Sequence, residues 1–298
     1  MRPFRVLGVA VALAGLAMAS HAAEADPMLE PIEASSTVLA AGNIANCGKT
    51  GASETAALLK ILSGTILALG DLVYSDGTPA DYSQCFEPTW GPYKARIRPA
   101  PGNHDYHQAG AAGYFGYFAD VQAYYKFELP SISADTKWSF YSLNDYVPAD
   151  VGSAQAEWLE GQLAADKNVC KVIYYHEPFI TSGSYHHDSD RAKTLVEIAY
   201  SHRVSIALAG HNHQYERFGP IGPDRKPAPG RGIRMWTVGT GGADFYQFGP
   251  ARSGSEVRGA EHGVLQLQLG DGGFAWKFVN VAGARDPISD TGTADCIR

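Results

Sequence analysis

The stretch VSIALAGHNHQYERFGP, Val204 to Pro220, carries the clearest structural signal in this sequence. A short apolar run ends in Gly210 and is followed by two alternating histidines, His211 and His213. Side chains two residues apart in an extended chain point to the same side. Two imidazoles on one side favour a metal site or a proton-transfer site, although two unrelated polar loop residues would give the same pattern. The stretch therefore predicts a buried strand with a candidate functional site at its carboxyl end.

Similar apolar runs recur along the chain, most of them ending in a glycine and then polar residues. They are Thr37–Cys47, Thr65–Thr78, Ile97–His107 and Cys170–Phe179. Apolar residues at helical spacing lie between the runs, in 53–62, 154–165 and 191–201. Strands that alternate with helices in this way indicate an α/β architecture.

Two parts of the chain contain strands that pair without an intervening helix. Residues 124–129 and 137–144 form one such pair, and the C-terminal third supplies several more strands. We therefore predict an α/β (α+β) fold in which two mixed sheets pack face to face, flanked by helices, as a four-layer αββα sandwich.

Polar side chains that follow the predicted strands form a candidate metal site. In sheets of this kind the loops at the carboxyl ends of the strands meet at one edge, where ligands bind. The side chains that fall there are Asp71, Asn103, His104, His176, His211 and His213. Oxygen and nitrogen donors without a thiolate suit manganese, iron or zinc.

The N-terminus has the pattern of a secretory signal. Arg2 and Arg5 form a basic start, and an apolar stretch and small residues follow. As an uncleaved anchor, the apolar run would be too short to span a bilayer comfortably. We predict a signal peptide (1–22), a linker (23–36), one large domain (37–285) and a C-terminal tail (286–298). The mature protein would be secreted or periplasmic, with no membrane span.

Composition and charge limit the possible partners. The chain has 298 residues, 45% hydrophobic and 18% charged, which suits one large globular domain or at most two. Loss of the two signal-peptide arginines takes the formal net charge from −7 to −9. Because no basic stripe could neutralise phosphates, we expect no nucleic-acid partner. A small phosphate ester remains compatible, since a bound metal supplies local positive charge. The oligomeric state stays open.

The cysteines predict disulfides. Their number is even in a chain bound for an oxidising compartment, and they are Cys47, Cys85, Cys170 and Cys296. Three pairings are possible. Zinc binding by these cysteines is the weaker interpretation, because no two of them have CxxC spacing.

Four motifs in order give the sequence a family resemblance. They are GDLVYSDGT (70–78), PGNHDYH (101–107), YYHEP (174–178) and GHNHQYERF (210–218). Together they resemble the motif series of the calcineurin-like metallophosphoesterases, over about residues 37–281. The similarity is closest to the purple acid phosphatase branch, in which a tyrosine three residues after the motif aspartate binds ferric iron. Tyr74 stands three residues after Asp71.

The resemblance implies a dinuclear centre of iron, zinc or manganese. The implied ligands are Asn43, Tyr74 and His213 for the first metal, Asn103, His176 and His211 for the second, and Asp71 as a bridge. His104 would face the substrate, stabilising the phosphoryl oxygens or protonating the leaving alkoxide. Asp105 would orient the His104 imidazole. The implied reaction is acid-phosphatase-like hydrolysis of a phosphomonoester by a metal-activated water.

Asn43 departs from the family pattern, which has an aspartate at this position. A neutral amide oxygen is a weaker ligand for a trivalent ion than a carboxylate, so the first metal site is in doubt. The site could use divalent metals, keep only the second metal, or lose catalysis and remain a phosphate-binding protein on the same fold. Phosphodiesterase or nucleotidase activity is a further alternative. The loops 76–82 and 181–190 would set the substrate, with His186 and His187 at the rim.

Overall fold

The computed structural model describes Met1 and residues 36–298. The predicted signal peptide (1–22), apart from Met1, and the predicted linker (23–36), apart from Ser36, lie outside the described residues. The strands are β1 (Thr37–Ala41), β2 (Ala45–Asn46), β3 (Thr65–Leu69), β4 (Val73–Tyr74), β5 (Ile97–Ala100), β6 (Tyr125–Pro130), β7 (Lys137–Ser142), β8 (Cys170–Tyr174), β9 (Ile206–Ala209), β10 (Tyr215–Ile221), β11 (Ile233–Val238), β12 (Ser255–Gly259), β13 (Gly263–Leu269), β14 (Gly273–Asn280) and β15 (Thr291–Asp295). The helices are α1 (Gly51–Ile61), α2 (Pro79–Asp81), α3 (Ala112–Tyr117), α4 (Ala154–Ala165) and α5 (Lys193–Ser201).

The strands form two large mixed sheets and a small ribbon. Sheet I has the order β15-β14-β13-β1-β3-β5, and sheet II has the order β12-β10-β11-β9-β8-β7-β6. In sheet I the strands β1, β3 and β5 are parallel, and in sheet II β11, β9, β8 and β7 are parallel. The predicted antiparallel pair appears as β6 and β7. The mixed α/β fold class is confirmed, and α1, α4 and α5 match the predicted helices.

Alternate side chains of β8 divide the interior into two layers. Val172 and Tyr174 belong to the core that also contains the buried residues of sheet I, so the two sheets pack face to face. Ile173 and Tyr175 point the other way and pack with the buried faces of α4 and α5. This is the period-two alternation of an extended chain with both faces covered. In the described part of the chain, no helix is long and apolar enough to cross a bilayer.

The end of the chain contributes to both sheets. Residues 286–298, which the sequence analysis set apart as a tail, include β15, which pairs with β14 at the edge of sheet I. Cys296 forms a disulfide with Cys170 at the start of β8 in sheet II. The other disulfide joins Cys47 and Cys85, so the structure selects one of the three possible pairings.

Candidate metal centre

Three polar residues leave their strands through an unusual backbone conformation. Asn43, Asp71 and His211 each follow a glycine after β1, β3 and β9, with φ of 58°, 50° and 65°. Positive φ is uncommon outside glycine and is concentrated at functional sites. The sharp turn at each strand end directs these three side chains into the space between the carboxyl edges of the two sheets.

Two glycines let the backbone approach the site closely. A Cβ atom on Gly70 would lie 2.2 Å from Nδ1 of His176, and Gly70 also has φ of +82°. A Cβ atom on Gly102 would lie 2.4 Å from the backbone nitrogen of Asp71. Since any larger residue at either position would displace a site residue, the glycines of the GD and GN motifs are needed for packing as well as for the turn.

The Asp71 carboxylate lies at the centre of the cluster and is buried. Its Oδ1 accepts a hydrogen bond from the His104 backbone N–H at 2.9 Å. Its Oδ2 lies 3.3 Å from Nε2 of His176 and accepts from the Tyr74 hydroxyl at 3.1 Å. Burial alone would raise the pKa of Asp71, but the charges and hydrogen bonds of His176 and His104 lower it well below its usual value. The carboxylate is therefore ionised and can act as a ligand.

Three donors converge next to Asp71. Nε2 of His176 and Nδ1 of His211 are 3.2 Å apart, and Oδ1 of Asn103 lies 3.1 Å from each of them. Donor atoms of Asp71, His176 and His211 all lie within 4.8 Å of one another. Nδ1 of His176 donates to the Leu69 carbonyl at 2.8 Å, which directs Nε2 at the cluster. This mixed nitrogen and oxygen set fits a divalent transition metal.

The protonation states of the histidines suit metal binding. Burial and the neighbouring charge of His176 lower the pKa of His211 to about 2. Burial likewise lowers the pKa of His213 to about 4. At His176 burial is outweighed by the Asp71 charge, which raises the pKa to about 9. Two of the three imidazoles are thus neutral and ready to coordinate, and a metal at His176 would release a proton.

A second group of donors meets Asp71 through Tyr74, whose hydroxyl contacts the same oxygen, Oδ2, as His176 does. The Tyr74 hydroxyl is 3.0 Å from Nε2 of His213. The His213 ring is held by a hydrogen bond from Nδ1 to the Asp244 carbonyl at 2.6 Å and by stacking on Tyr246, with ring centroids 4.1 Å apart. These contacts direct Nε2 of His213 at the Tyr74 hydroxyl, which itself contacts the Asp71 carboxylate.

His104 lies at the exposed side of the cluster. Its side chain is 25% exposed, and Nε2 is 4.0 Å from Oδ2 of Asp71. Nδ1 is 2.5 Å from the Ser75 carbonyl, which can only accept, so Nδ1 carries a proton in this contact. The ring is thereby fixed with Nε2 towards the donors.

The structure does not bring Asp105 to the His104 ring. The Asp105 carboxylate is buried and accepts hydrogen bonds from the Tyr82 hydroxyl at 2.6 Å and the Gly102 N–H at 2.8 Å. Burial and the nearby Asp71 charge raise the pKa of Asp105 to about 7. Asp105 thus braces the loop that carries Asn103, and the Ser75 carbonyl has the orienting position expected for Asp105.

Comparison with known proteins identifies the family. The calcineurin-like phosphoesterase model matches residues 41–215, more than half of the chain. The chain belongs to the calcineurin-like phosphoesterase family. Among curated relatives, it is 29% identical over 124 residues to purple acid phosphatase 21 of Arabidopsis thaliana, covering 40% of this chain and 26% of that protein. The chain spans between 26% and 39% of the length of the curated relatives it matches first.

Solved structures show the same fold. A purple acid phosphatase from yellow lupin (Lupinus luteus) seeds superposes with a TM-score of 0.72 at 17% identity, covering 87% of this chain and 53% of that one. GAP50, described as the anchor in the inner membrane complex of Plasmodium, superposes with a TM-score of 0.69 at 14% identity, covering 88% and 89%. The predicted resemblance to this family and its purple acid phosphatase branch is confirmed.

In this calcineurin-like phosphoesterase, Asn43 points its amide nitrogen, which cannot bind a cation, towards the second donor group. Its Nδ2 donates to the Tyr74 hydroxyl at 2.7 Å and contacts Oδ2 of Asp71 at 3.3 Å. Its Oδ1 is buried and has no hydrogen-bond partner among the described residues. Rotating the amide would present Oδ1, which has no bond to lose, to a metal, and it would break the two Nδ2 contacts. The Asn43, Tyr74 and His213 group fits a cation only with such a rotation, whereas the His176 and His211 group fits as it stands.

The sequence analysis did not name one residue of the site, Asp145, and placed another, His186, only at the rim. The buried Asp145 carboxylate accepts from the backbone N–H groups of His176 at 3.3 Å and Glu177 at 2.6 Å, which fixes the turn after β8. Asp145 follows β7, so the strand-end pattern could have found it. His186, expected at the rim, packs its ring on His211 with centroids 3.8 Å apart.

Proposed function

We propose that this chain is an exported, metal-dependent phosphoesterase that hydrolyses phosphomonoesters in the manner of an acid phosphatase. One observation carries the proposal. Donor atoms of Asp71, His176 and His211 lie within 4.8 Å of one another, and Oδ1 of Asn103 lies 3.1 Å from both histidines. These donors come from four separate strand ends, and His104 stands at the exposed side of their cluster. Such a cluster is costly to bury unless it binds something, which supports a metal-dependent reaction.

The proposed reaction adds water across the ester bond. Phosphorus gains a hydroxyl oxygen, the bond to the leaving group breaks, and the leaving oxygen takes up a proton. Cations held by the two donor groups would supply the positive charge and the activated water that an anionic ester requires. His104, with its ring fixed on the Ser75 carbonyl, directs Nε2 to the exposed side of Asp71. From there a protonated Nε2 donates to a phosphoryl oxygen or to the leaving oxygen.

Two observations support the proposed export of the protein. The N-terminal sequence has the pattern of a secretory signal, and the four cysteines pair as two disulfides. Disulfides persist in oxidising compartments, which favours a secreted or periplasmic location. The acidic net charge of −7 favours a small phosphate ester over a nucleic acid as substrate.

The proposed role of His104 predicts a large loss of activity on its removal. We expect His104→Ala to lower kcat for p-nitrophenyl phosphate by about 10²–10⁴-fold, the usual contribution of a positioned acid. The assay compares purified mature protein with manganese, zinc or iron added, and with a chelator. His202→Ala is the matched control, since His202 lies at the end of α5 and contacts Glu160. Turnover by the wild type no higher than by His104→Ala under every metal would refute the phosphoesterase proposal.

A non-catalytic phosphate-binding protein is the second candidate. Asn43 favours it, because its amide is neutral. The second donor group therefore has no carboxylate except that of Asp71, which it shares with the first group. The fold also occurs in a protein described as an anchor.

Asn43→Asp separates the two candidates. We expect the wild type to bind close to one metal equivalent per chain and Asn43→Asp to bind close to two, because a carboxylate adds a charge that strengthens cation binding about tenfold or more. Elemental analysis after dialysis against manganese or zinc measures this. Two tightly held equivalents in the wild type would contradict our interpretation of Asn43. Phosphate binding without metal or turnover in either protein would favour the binding protein.

A further inference from the structure

An exposed tyrosine stands directly above the candidate metal centre. Tyr185 is 67% exposed. The other Phe, Tyr and Trp residues that the structure describes are buried or half-buried. Its ring lies 4.7 Å from the ring of Tyr246 and 4.7 Å from the ring of His186, centroid to centroid. A large aromatic ring left in water is unusual when every other one is at least partly covered.

The two rings beneath Tyr185 connect it to both donor groups. Tyr246 stacks on His213 at 4.1 Å with an angle of 16° between the planes. His186 packs on His211 at 3.8 Å. A continuous aromatic surface, formed by Tyr185, Tyr246 and His186, therefore leads from the candidate ligands to solvent. We call these three residues the aromatic platform.

The backbone holds the platform in place. The loop that carries Tyr185 pairs with the loop that carries Tyr246. The Ser184 N–H donates to the Gln247 carbonyl at 3.1 Å, and the Gly249 N–H donates to the Ser182 carbonyl at 2.7 Å. Because these two hydrogen bonds fix the backbone just before the exposed ring, little conformational entropy would be lost when a ligand packs against it. Side chains that are rigid, flat and partly exposed are the usual contacts for planar ligands.

We propose that the aromatic platform binds the leaving group of the substrate, and that this site prefers phosphate esters of planar aromatic groups. The inference rests on the proposed function, since it places the phosphate at the donor cluster. With the phosphate there, the ester substituent extends towards solvent past His186 and Tyr246 and meets the Tyr185 ring. Stacking of this kind favours an aromatic substituent over an aliphatic one of similar size.

The test compares an aryl with an alkyl ester in variants of Tyr185. We expect Tyr185→Ala to lower kcat/KM for phenyl phosphate about 3- to 10-fold, the effect of one aromatic contact, and to leave glycerol 2-phosphate unchanged. Tyr185→Phe keeps the ring and should retain the preference. Ile61→Ala is the control for loss of an exposed apolar side chain, since Ile61 is 76% exposed at the end of α1. Equal losses for both esters in Tyr185→Ala would overturn the inference while leaving the phosphoesterase proposal intact.

Binding of phosphonates, which cannot be hydrolysed, separates this inference from the proposed function. In manganese-loaded protein, calorimetry should give tighter binding of phenylphosphonate than of methylphosphonate, and Tyr185→Ala should remove the difference. If no ester is turned over but this difference is found, the enzyme proposal fails and the platform stands. If the two phosphonates bind equally, or neither binds, the platform is refuted. A parallel comparison of AMP with ribose 5-phosphate tells whether the preferred ring is joined directly to the phosphate or through a sugar.

Discussion

Asp71→Asn is expected to lower kcat/KM for p-nitrophenyl phosphate by about 10³-fold or more and to remove the bound metal. Among the described residues, Asp71 carries the anionic side chain that contacts both donor groups, with Nε2 of His176 3.3 Å and the Tyr74 hydroxyl 3.1 Å from Oδ2. An amide of the same size supplies one neutral oxygen, so a bound cation loses its anionic ligand. A loss of 10³ corresponds to about 4 kcal/mol of transition-state stabilisation.

Metal analysis and circular dichroism accompany the kinetics of Asp71→Asn. The matched control is Asp76→Asn, because Asp76 lies on the same loop and its side chain is 61% exposed beside His107. The control should retain metal and activity. Asp71→Asn that folds, keeps its full metal content and turns over within tenfold of the wild type would show that the cluster is not built around Asp71.

Part of the site's location could be predicted, because the edge at which each pair of residues lies depends on strand direction. Asp71 and Asn103 follow β3 and β5, which are parallel neighbours in sheet I, and His176 and His211 follow β8 and β9, which are parallel neighbours in sheet II. Each pair must therefore lie at one edge of its own sheet. That the two edges coincide depends on how the sheets pack, and the sequence indicated it only through the order of the family motifs.

The contacts that orient the site could not be predicted, because they come from loops that are distant in sequence. The carbonyl of Ser75, rather than the carboxylate of the adjacent Asp105, holds the His104 ring. Asp105 turns instead to Tyr82, 23 residues away. Neighbours in sequence at a turn often point in different directions, so the partner that the family resemblance implied for the His104 ring is not the one found in the structure. The Tyr185 and Tyr246 contact likewise joins two loops whose pairing has no local signal.

The buried Asp290 carboxylate joins the two sheets and carries the largest expected effect on stability. It accepts hydrogen bonds from Nε of Arg217 at 2.8 Å and from the Tyr215 hydroxyl at 2.6 Å, both on β10 of sheet II. It also accepts from Nε1 of Trp276 at 3.1 Å, on β14 of sheet I. Asp290 is 3% exposed, and the Arg217 side chain is 9% exposed. The charge of each is therefore compensated mainly by the other, with Glu256 as a second, more exposed partner of Arg217.

Asp290→Ala is expected to lower the free energy of unfolding by about 3–5 kcal/mol, because it leaves the Arg217 guanidinium buried without its main partner. The Tyr215 and Trp276 donors lose their acceptor as well. Urea denaturation, followed by tryptophan fluorescence, measures the change. Asp286→Ala is the matched control, since Asp286 is exposed in the same segment and should change stability by less than about 0.5 kcal/mol.

A double variant tests whether the loss comes from the unpaired charge. Arg217→Met with Asp290→Leu removes both charges and keeps apolar volume, so it should be less destabilised than Asp290→Ala alone. If Asp290→Ala unfolds at the same urea concentration as the wild type, the hydrogen bonds of Asp290 between the sheets contribute nothing to the free energy of unfolding. Residues 286–298 would then behave as the tail that the sequence analysis proposed. A large loss of stability in Asp290→Ala that the double variant partly restores would mean that this segment is part of the domain. The Asp290 carboxylate and the Cys170–Cys296 disulfide would then connect the two sheets whose edges form the metal site.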